Sequence, residues 1–197
     1  IKNVQNDMFI NTLKNEKIKD IKRRGKYLVF ILSNCILLSH LRMEGKYFIK
    51  PLNEPVEKHE HIVFDLFDDR SLRYHDTRKF GVMYLFKNLS FNDVLLLPPL
   101  SNLGVEPLTD DLTLDYLKPL LLKTKKPIKS TLLNQNVISG LGNIYVNEVL
   151  FLSKIHPLTP SNKLTDKHIN NLIINTKVVL NRAIELGGTT IHSFQSA

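Results

Sequence analysis

The sequence predicts an α+β protein, with an antiparallel β-sandwich in its first half and an all-helical second half. Two observations carry this. Between residues 25 and 86, six short runs rich in β-branched and aromatic residues are separated by turn signals. Beyond residue 98, apolar positions recur at three and four, and Pro, Gly, Thr and Asp mark the ends of segments. Pro98-Pro99 and Gly104 punctuate the loop between these regimes. The boundary is therefore placed at 97/98, giving domains 1–97 and 98–197.

In chain order, residues 6–20 have helical spacing, with Met8, Phe9, Leu13 and Ile18 mostly on one side. Strands are expected over 25–32 and 35–39, with Ser33-Asn34 as the turn of their hairpin. Further strands are expected over 46–49, ended by Pro51, and over 61–67. Asp68-Asp69 then turns into a strand over 71–74, and the last covers 81–86. In the second half Thr109 is the expected N-cap of a helix, with Asp110 and Asp111 at its positive end. Pro119 predicts a kink or two short helices there. Pro127 suits the first turn of a helix over 128–135, and 144–154 is the next. Thr165 caps a last helix with apolar Ile169, Leu172, Ile173, Leu180, Ala183 and Ile184, ended by Gly187-Gly188.

Of the 197 residues, 43% are apolar and 23% charged, which is the composition of a folded domain and not of a disordered chain. No run of about 18 apolar residues exists, so a membrane helix is not expected. No charged-then-apolar leader opens the chain, so the expected location is a reduced cytoplasm. The single cysteine, Cys35, excludes an internal disulfide and a Cys-rich zinc site. It is expected as a small buried apolar residue. The net charge of +8 favours a polyanionic partner.

The segment 140–148, Gly-Leu-Gly-Asn-Ile-Tyr-Val-Asn-Glu, is the most informative. Two glycines permit a tight path between helices, and Asn143 is expected to cap the helix that follows. The helix's unsatisfied N–H groups and dipole would then face an anion. Lys123, Lys125, Lys126 and Lys129 lie just upstream. Together they read as a grip on phosphates. By spacing alone, a capped helix beside a solvated charge run explains the segment equally well.

Gly140-Leu141-Gly142-Asn143-Ile144-Tyr145, followed by Glu148, Leu150-Phe151 and Ile155-His156-Pro157, resembles the helix–two-turn–helix of bacterial formamidopyrimidine-DNA glycosylases. Other stretches agree in order: Arg23-Arg24-Gly25-Lys26-Tyr27-Leu28, His40-Leu41-Arg42-Met43-Glu44-Gly45 and Lys58-His59-Glu60-His61. So do Tyr74-His75-Asp76-Thr77-Arg78-Lys79-Phe80-Gly81, Leu103-Gly104-Val105-Glu106-Pro107-Leu108 and Gly187-Gly188-Thr189-Thr190. The resemblance covers nearly the whole chain from about residue 20.

It implies a monomeric base-excision enzyme that removes oxidised purines (8-oxoguanine and formamidopyrimidines) from double-stranded DNA and nicks the strand at abasic sites. It also implies a bacterial cytoplasmic protein associated with the nucleoid. Such an enzyme flips the damaged base out and must fill the gap. The resemblance assigns that task to Met43, Arg78 and Phe80, whose chemistry suits it: a flexible apolar side chain, a donor for the orphaned base and an aromatic wedge. Met43 is expected at a hairpin tip. Arg78 and Phe80 are expected to share a strand face. Read alone, Met43 and Phe80 could be core and Arg78 a surface ion pair. The resemblance gives Lys26 a catalytic role in proton transfer, and His59, Arg78, Lys125, Lys129 and Asn143 contacts to DNA phosphates. Lys125 rests on an uncertain register. Alternate residues His59 and His61 could instead form a metal pair.

The family's nucleophile is an amino-terminal proline followed by a glutamate, and the family ends in a Cys-rich zinc finger. Ile1-Lys2 and the lone Cys35 match neither. The expectation is a piece of a longer enzyme, lacking a first helix and strand and the zinc-bearing finger, and inactive by itself. No cofactor is expected in the chain itself. Two alternatives remain: a non-catalytic DNA-binding module, and a glycosylase of the endonuclease VIII type acting on oxidised pyrimidines.

Overall fold

Residues 28–38 form the most apolar stretch of the first half, and they become the middle of a sheet. In a computed structural model, which describes residues 1–188, Tyr27–Leu32 (β2) pairs antiparallel with Cys35–His40 (β3) around the Ser33-Asn34 turn. Ile18–Arg24 (β1) flanks β2, and Val82–Lys87 (β7) flanks β3, giving the order β1-β2-β3-β7. Val29 and Leu38 are fully buried, as are the inward Phe30 and Leu37. Burial on both faces explains why this run is continuously apolar instead of alternating. A second sheet, ordered β4-β6-β5, consists of Lys46–Pro51 (β4), Glu60–Asp65 (β5) and Arg70–His75 (β6). Phe30, Leu37, Met83 and Leu85 of the first sheet pack with Tyr47, Ile62, Leu72 and Tyr74 of the second, and with Phe9 of the helix Asn6–Leu13 (α1). Each such side chain contributes roughly 1.5–3 kcal/mol by leaving water.

The structure differs from the sequence reading in the opening residues. The helix ends at Leu13, and Asn15, at φ 62°, turns the chain away from it. The unanticipated seventh strand, β1, is almost wholly exposed. Its sequence, Ile-Lys-Asp-Ile-Lys-Arg-Arg, shows neither apolar alternation nor burial, because it is a charged edge. The Gly25-Lys26 pair is a turn and not the start of β2, since Arg24 and Tyr27 are already partners.

The outward face of the second sheet carries a buried charge cluster. Arg73 is 1% exposed and donates to Glu60 at 3.0 Å, to Ser71 Oγ at 2.7 Å and to the carbonyls of Pro51, Glu54 and Pro55. Lys50 completes it, at 3.0 Å from Glu60. The Glu57 backbone amide, opposed by burial and joined by Lys50 and Arg73, lowers the Glu60 carboxyl to about 2. These bonds pin the connection between β4 and β5.

Residues 98–188 belong to the second compact unit, Pro98–Ala197, and the sandwich lies within the first, Ile1–Leu97. The second unit holds the helices Leu114–Leu122 (α3), Ile128–Leu133 (α4), Asn143–Leu152 (α5) and Asp166–Glu185 (α6), after the short Phe91–Leu95 (α2) that closes the first. Leu117, Leu121, Ile128, Leu132, Leu141, Val146, Leu150, Ile169 and Leu172 form its core. The cap of α3 is Thr113, which accepts from the Tyr116 amide. Thr109, expected there, instead closes the preceding turn by donating to the Glu106 carbonyl at 3.1 Å. Pro119 lies inside α3 without splitting it. The carbonyl it cannot bond, that of Asp115, belongs to an exposed residue and is open to water. Helix α4 stops at Leu133, two residues short of expectation, because Gln135 is used in the following turn. Thr165 and His168 form a reciprocal cap on α6, which ends at Gly187 (φ 72°) and Gly188 (φ 90°). Thr189 and Thr190, singled out in the sequence, lie outside the described residues.

Arg73→Ala would leave Glu60 buried beside only one cation. It is expected to cost about 3–5 kcal/mol in urea unfolding of the chain, and an unchanged midpoint would refute the role given to this cluster.

Candidate nucleic-acid interface

In the first unit, two loops bring Met43, Arg78 and Phe80 together. The connection 41–45 is not a hairpin tip: it carries the chain from β3 in one sheet to β4 in the other. Arg42 at φ 56° and a Gly45 N–H to Leu41 carbonyl bond of 3.0 Å fold it tightly. Met43 projects from it, 73% exposed. Arg78 and Phe80 lie in the loop 76–81 between β6 and β7, not on a strand, so strand parity does not align them. Contact does. The Arg78 guanidinium stands 4.6 Å from the centre of the Phe80 ring, and Arg78 Nη1 donates to Met43 Sδ at 3.4 Å. Glu44 accepts from Thr77 and lies 4.0 Å from Arg78, tying one loop to the other. Phe80 is 53% exposed. Two large apolar side chains are thus held in water around one cation.

Lys26 occupies the β1–β2 turn, after Gly25 at φ 56°. Its side chain reaches solvent, yet desolvation by the surrounding protein lowers its ammonium below the usual lysine range. Beside it is His40, which the sequence reading did not single out. His40 is the strand partner of Tyr27 and meets its ring edge-on at 4.7 Å. Its Nδ1 accepts the Arg42 amide at 3.0 Å. Burial first, then the charges of Arg42 and Lys26, push its imidazole down to about 4. The sequence held one signal for it: His40 opens the same motif that contains Met43.

His59 precedes β5, and its carbonyl accepts the Asp76 amide at 3.0 Å. Its ring meets His75 at 5.6 Å and His61 at 6.5 Å. A register shift between Glu60 and Ile62 breaks the alternation on which the metal pair depended, and His61 Nε2 bonds the Asp76 carbonyl at 2.8 Å. Among the described residues no three His, Cys, Asp or Glu are grouped to hold a metal ion, so the zinc implied by the resemblance has no matching donors there. Cys35 lies in the sandwich core, where burial pushes its thiol up to about 11.

In the second unit, residues 134–142 connect α4 and α5. Gln135 staples this turn: its amide nitrogen donates to the Leu133 and Leu141 carbonyls, and its oxygen accepts the Gly140 amide at 2.9 Å. The motif 103–106 lies against it. Ser139 donates to the Val105 carbonyl, and a Cβ on Gly104 would stand 2.3 Å from the Val137 oxygen. The N-cap of α5 is Gly142, with no side-chain cap bond, so Asn143 is its first helical residue and not its cap. Asn143 is exposed there, at the positive end of the helix. Lys129 is the second residue of α4, and Lys125 is exposed in the loop before it.

An antiparallel sandwich with this surface, followed by helices joined through a stapled glycine turn, defines a protein of the sandwich and helix–two-turn–helix class. Residues 1–83 match the N-terminal domain of formamidopyrimidine-DNA glycosylase, and residues 103–195 match its H2TH domain. The formamidopyrimidine-DNA glycosylase of Ligilactobacillus salivarius is 48% identical over 96% of this chain and 68% of its own length. That of Bacillus subtilis is 46% identical over 94% of this chain and 66% of its own. The Lactococcus lactis enzyme, solved with DNA containing an abasic site, superposes with a TM-score of 0.86 at 41% identity, over 94% of this chain and 67% of that one. A MutM complex with DNA containing carbocyclic 8-oxo-G gives 0.87 at 40% identity, over 95% and 70%. The chain belongs to the formamidopyrimidine-DNA glycosylase family. It spans about two thirds of the length of these relatives.

His40 sets a pH dependence. The unfolded chain protonates this imidazole near 6.5, the folded protein only near 4. Its contribution to stability is complete above 6.5 and is lost as pH falls towards 4. The melting temperature is expected to fall by a few degrees between pH 7 and pH 5, and His40→Gln is expected to flatten that segment. An equal slope in the variant would assign the effect elsewhere.

Proposed function

We propose that this chain is the duplex-opening and phosphate-gripping body of a base-excision glycosylase and abasic-site lyase. Its substrate is double-stranded DNA carrying oxidised purines, 8-oxoguanine and formamidopyrimidines. The observation that carries this reading is the contact among Met43, Arg78 and Phe80 in water. Met43 and Phe80 replace the stacking of an extruded base, and Arg78 donates to the base left without a partner. Lys26 transfers protons in strand cleavage, a role supported by its lowered pKa, since a less basic ammonium gives up its proton more readily. Neutral His40 beside it offers a donor to a phosphate without adding charge repulsion. His59 and Arg78 contact phosphates near the lesion. Lys125, Lys129 and Asn143, at and beside the positive end of α5, grip the backbone. The solved relatives support the substrate, since they are complexes with abasic-site, 8-oxo-G and Fapy-dG DNA. The net charge of +8 supports a polyanion. The protein works as a monomer in the bacterial cytoplasm at the nucleoid. None of the described helices is long and apolar enough to cross a membrane.

Binding of the chain to a duplex with a tetrahydrofuran abasic analogue, against the intact duplex, tests this directly. Lys129→Ala is expected to weaken both equally and to reduce the slope of log K against log salt by about 0.9, one phosphate contact. Met43→Ala is expected to spare the intact duplex and remove most of the preference for the damaged one. Equal losses on both duplexes for Met43→Ala would sink the wedge assignment. A stronger preference for thymine glycol than for 8-oxoguanine duplexes would favour pyrimidine lesions instead.

A further inference from the structure

The two loops that carry the wedge meet at one buried hydroxyl. Tyr74 is 5% exposed and Asp76 1%. The Tyr74 hydroxyl donates to Asp76 Oδ2 at 3.0 Å, and the same oxygen accepts the Gly81 amide at 2.9 Å. Asp76 Oδ1 accepts the Arg78 amide at 3.0 Å. One carboxylate thus fixes both ends of the segment 78–81. The hydroxyl also occupies the space that any side chain at Gly81 would need: a Cβ there would stand 1.6 Å from it. At Gly45, at the end of the Met43 loop, a Cβ would stand 2.7 Å from the same hydroxyl. The two glycines therefore close on Tyr74 from two loops. Asp76 reaches a third segment through its amide, which donates to the His59 carbonyl at 3.0 Å.

A buried carboxylate is costly unless hydrogen bonds satisfy it, so this arrangement resists loosening. Burial by itself would raise the Asp76 carboxyl, but the Gly81 amide, the Tyr74 hydroxyl and the amides of Arg78 and Lys79 outweigh it and hold it below the usual carboxylate range. The wedge side chains, by contrast, meet through an exposed sulfur contact and ring contact, with a 4.0 Å ion pair from Arg78 to Glu44 and the exposed Thr77–Glu44 hydrogen bond beside them. These exposed contacts are too weak to set a geometry alone.

We infer that Tyr74 and Asp76 are positioning residues that clamp the loops 41–45 and 76–81 together, so that Met43, Arg78 and Phe80 enter DNA as one pre-formed unit. The inference deepens the proposed function and rests on it for the word DNA. The clamp itself is independent of that reading. Neither residue is exposed enough to touch a ligand; both act through the loops.

The test uses the full chain in a Cys35→Ala background, with spin labels on Met43→Cys and Phe80→Cys. Electron–electron distance measurements should give one narrow distribution with Tyr74 intact, and a broad one in Tyr74→Phe and in Asp76→Asn. Ile36→Val, a core change that lowers the melting temperature without touching either loop, should leave the distribution narrow. A narrow distribution in both clamp variants, or a broad one in Ile36→Val, overturns the clamp. A second arm uses unlabelled chain and a duplex with 2-aminopurine beside a tetrahydrofuran site, where wedge insertion raises fluorescence. Tyr74→Phe should slow that rise by about tenfold, the worth of one hydrogen bond to a charged group, with affinity for intact duplex unchanged. A rise at the native rate overturns the positioning role. If the native chain gives no rise, the functional reading fails, and the distance arm still decides the clamp.

Discussion

The architecture of the first unit depends on the cost of leaving a charge buried without partners. Two opposite charges are buried in succession along one strand and its exit: Arg73 on β6 and Asp76 just beyond it. β6 is the central strand of its sheet, so its position is fixed from both sides. Arg73 faces outward and gathers the carbonyls of Pro51, Glu54 and Pro55 with Glu60. Asp76 gathers the amides of Arg78 and Gly81 with the Tyr74 hydroxyl. Each charge recruits the backbone groups that an irregular loop would otherwise leave to water. Loops that in most proteins are the variable part are thereby made as determinate as the sheet.

The second unit reaches the same end chiefly with neutral groups. At the turn between α4 and α5 the half-buried Glu106 carboxylate accepts from Ser139 Oγ at 3.3 Å, and neutral side chains do the rest. Gln135 bonds three backbone groups, the Tyr116 hydroxyl donates to the Val137 carbonyl at 2.8 Å, and Ser139 holds Val105. The start of α5 then emerges at a defined place, with Gly142 as an N-cap that brings no side chain of its own to the helix's first amides. A phosphate would complete that helix end in the way a capping residue does elsewhere. The same economy governs the first unit's basic residues: His40 stays neutral beside Lys26 and Arg42, which reduces repulsion among them.

What the sequence made legible follows from how local each signal is. The apolar hairpin 27–40, the Thr165 cap and the Gly187-Gly188 stop are each encoded within a few residues, and the structure has them. β1 was invisible because pairing with β2, not burial, makes it a strand, and Lys-Asp-Ile-Lys-Arg-Arg has no apolar face. Thr113 and Thr109 are both sound caps by type; only tertiary packing selects one. Motifs name the candidate site residues but not the means of their assembly. Alternation along a strand would put Arg78 and Phe80 on one face, whereas a carboxylate buried two residues before Arg78 shapes the loop that joins them. A hydrogen bond between Tyr74 and Asp76 has no signature in periodicity, and neither does the depressed histidine.

Met43 and Phe80 show where stability has been given up. A large apolar side chain gains roughly 1.5–3 kcal/mol on full burial, and the folded chain leaves most of that unrealised in Met43, at 73% exposure, and about half in Phe80, at 53%. The sandwich interior beneath them is already filled by Tyr47, Tyr74 and Phe30, whose rings pack at 5.3–5.5 Å. The unrealised energy is therefore available only to something that comes from outside. On the proposed reading that partner is a base step, and opening one costs about a few kcal/mol. The two quantities are of the same order. On that reading rigidity adds to what burial supplies, because any freedom in the loops is entropy that must be lost on insertion.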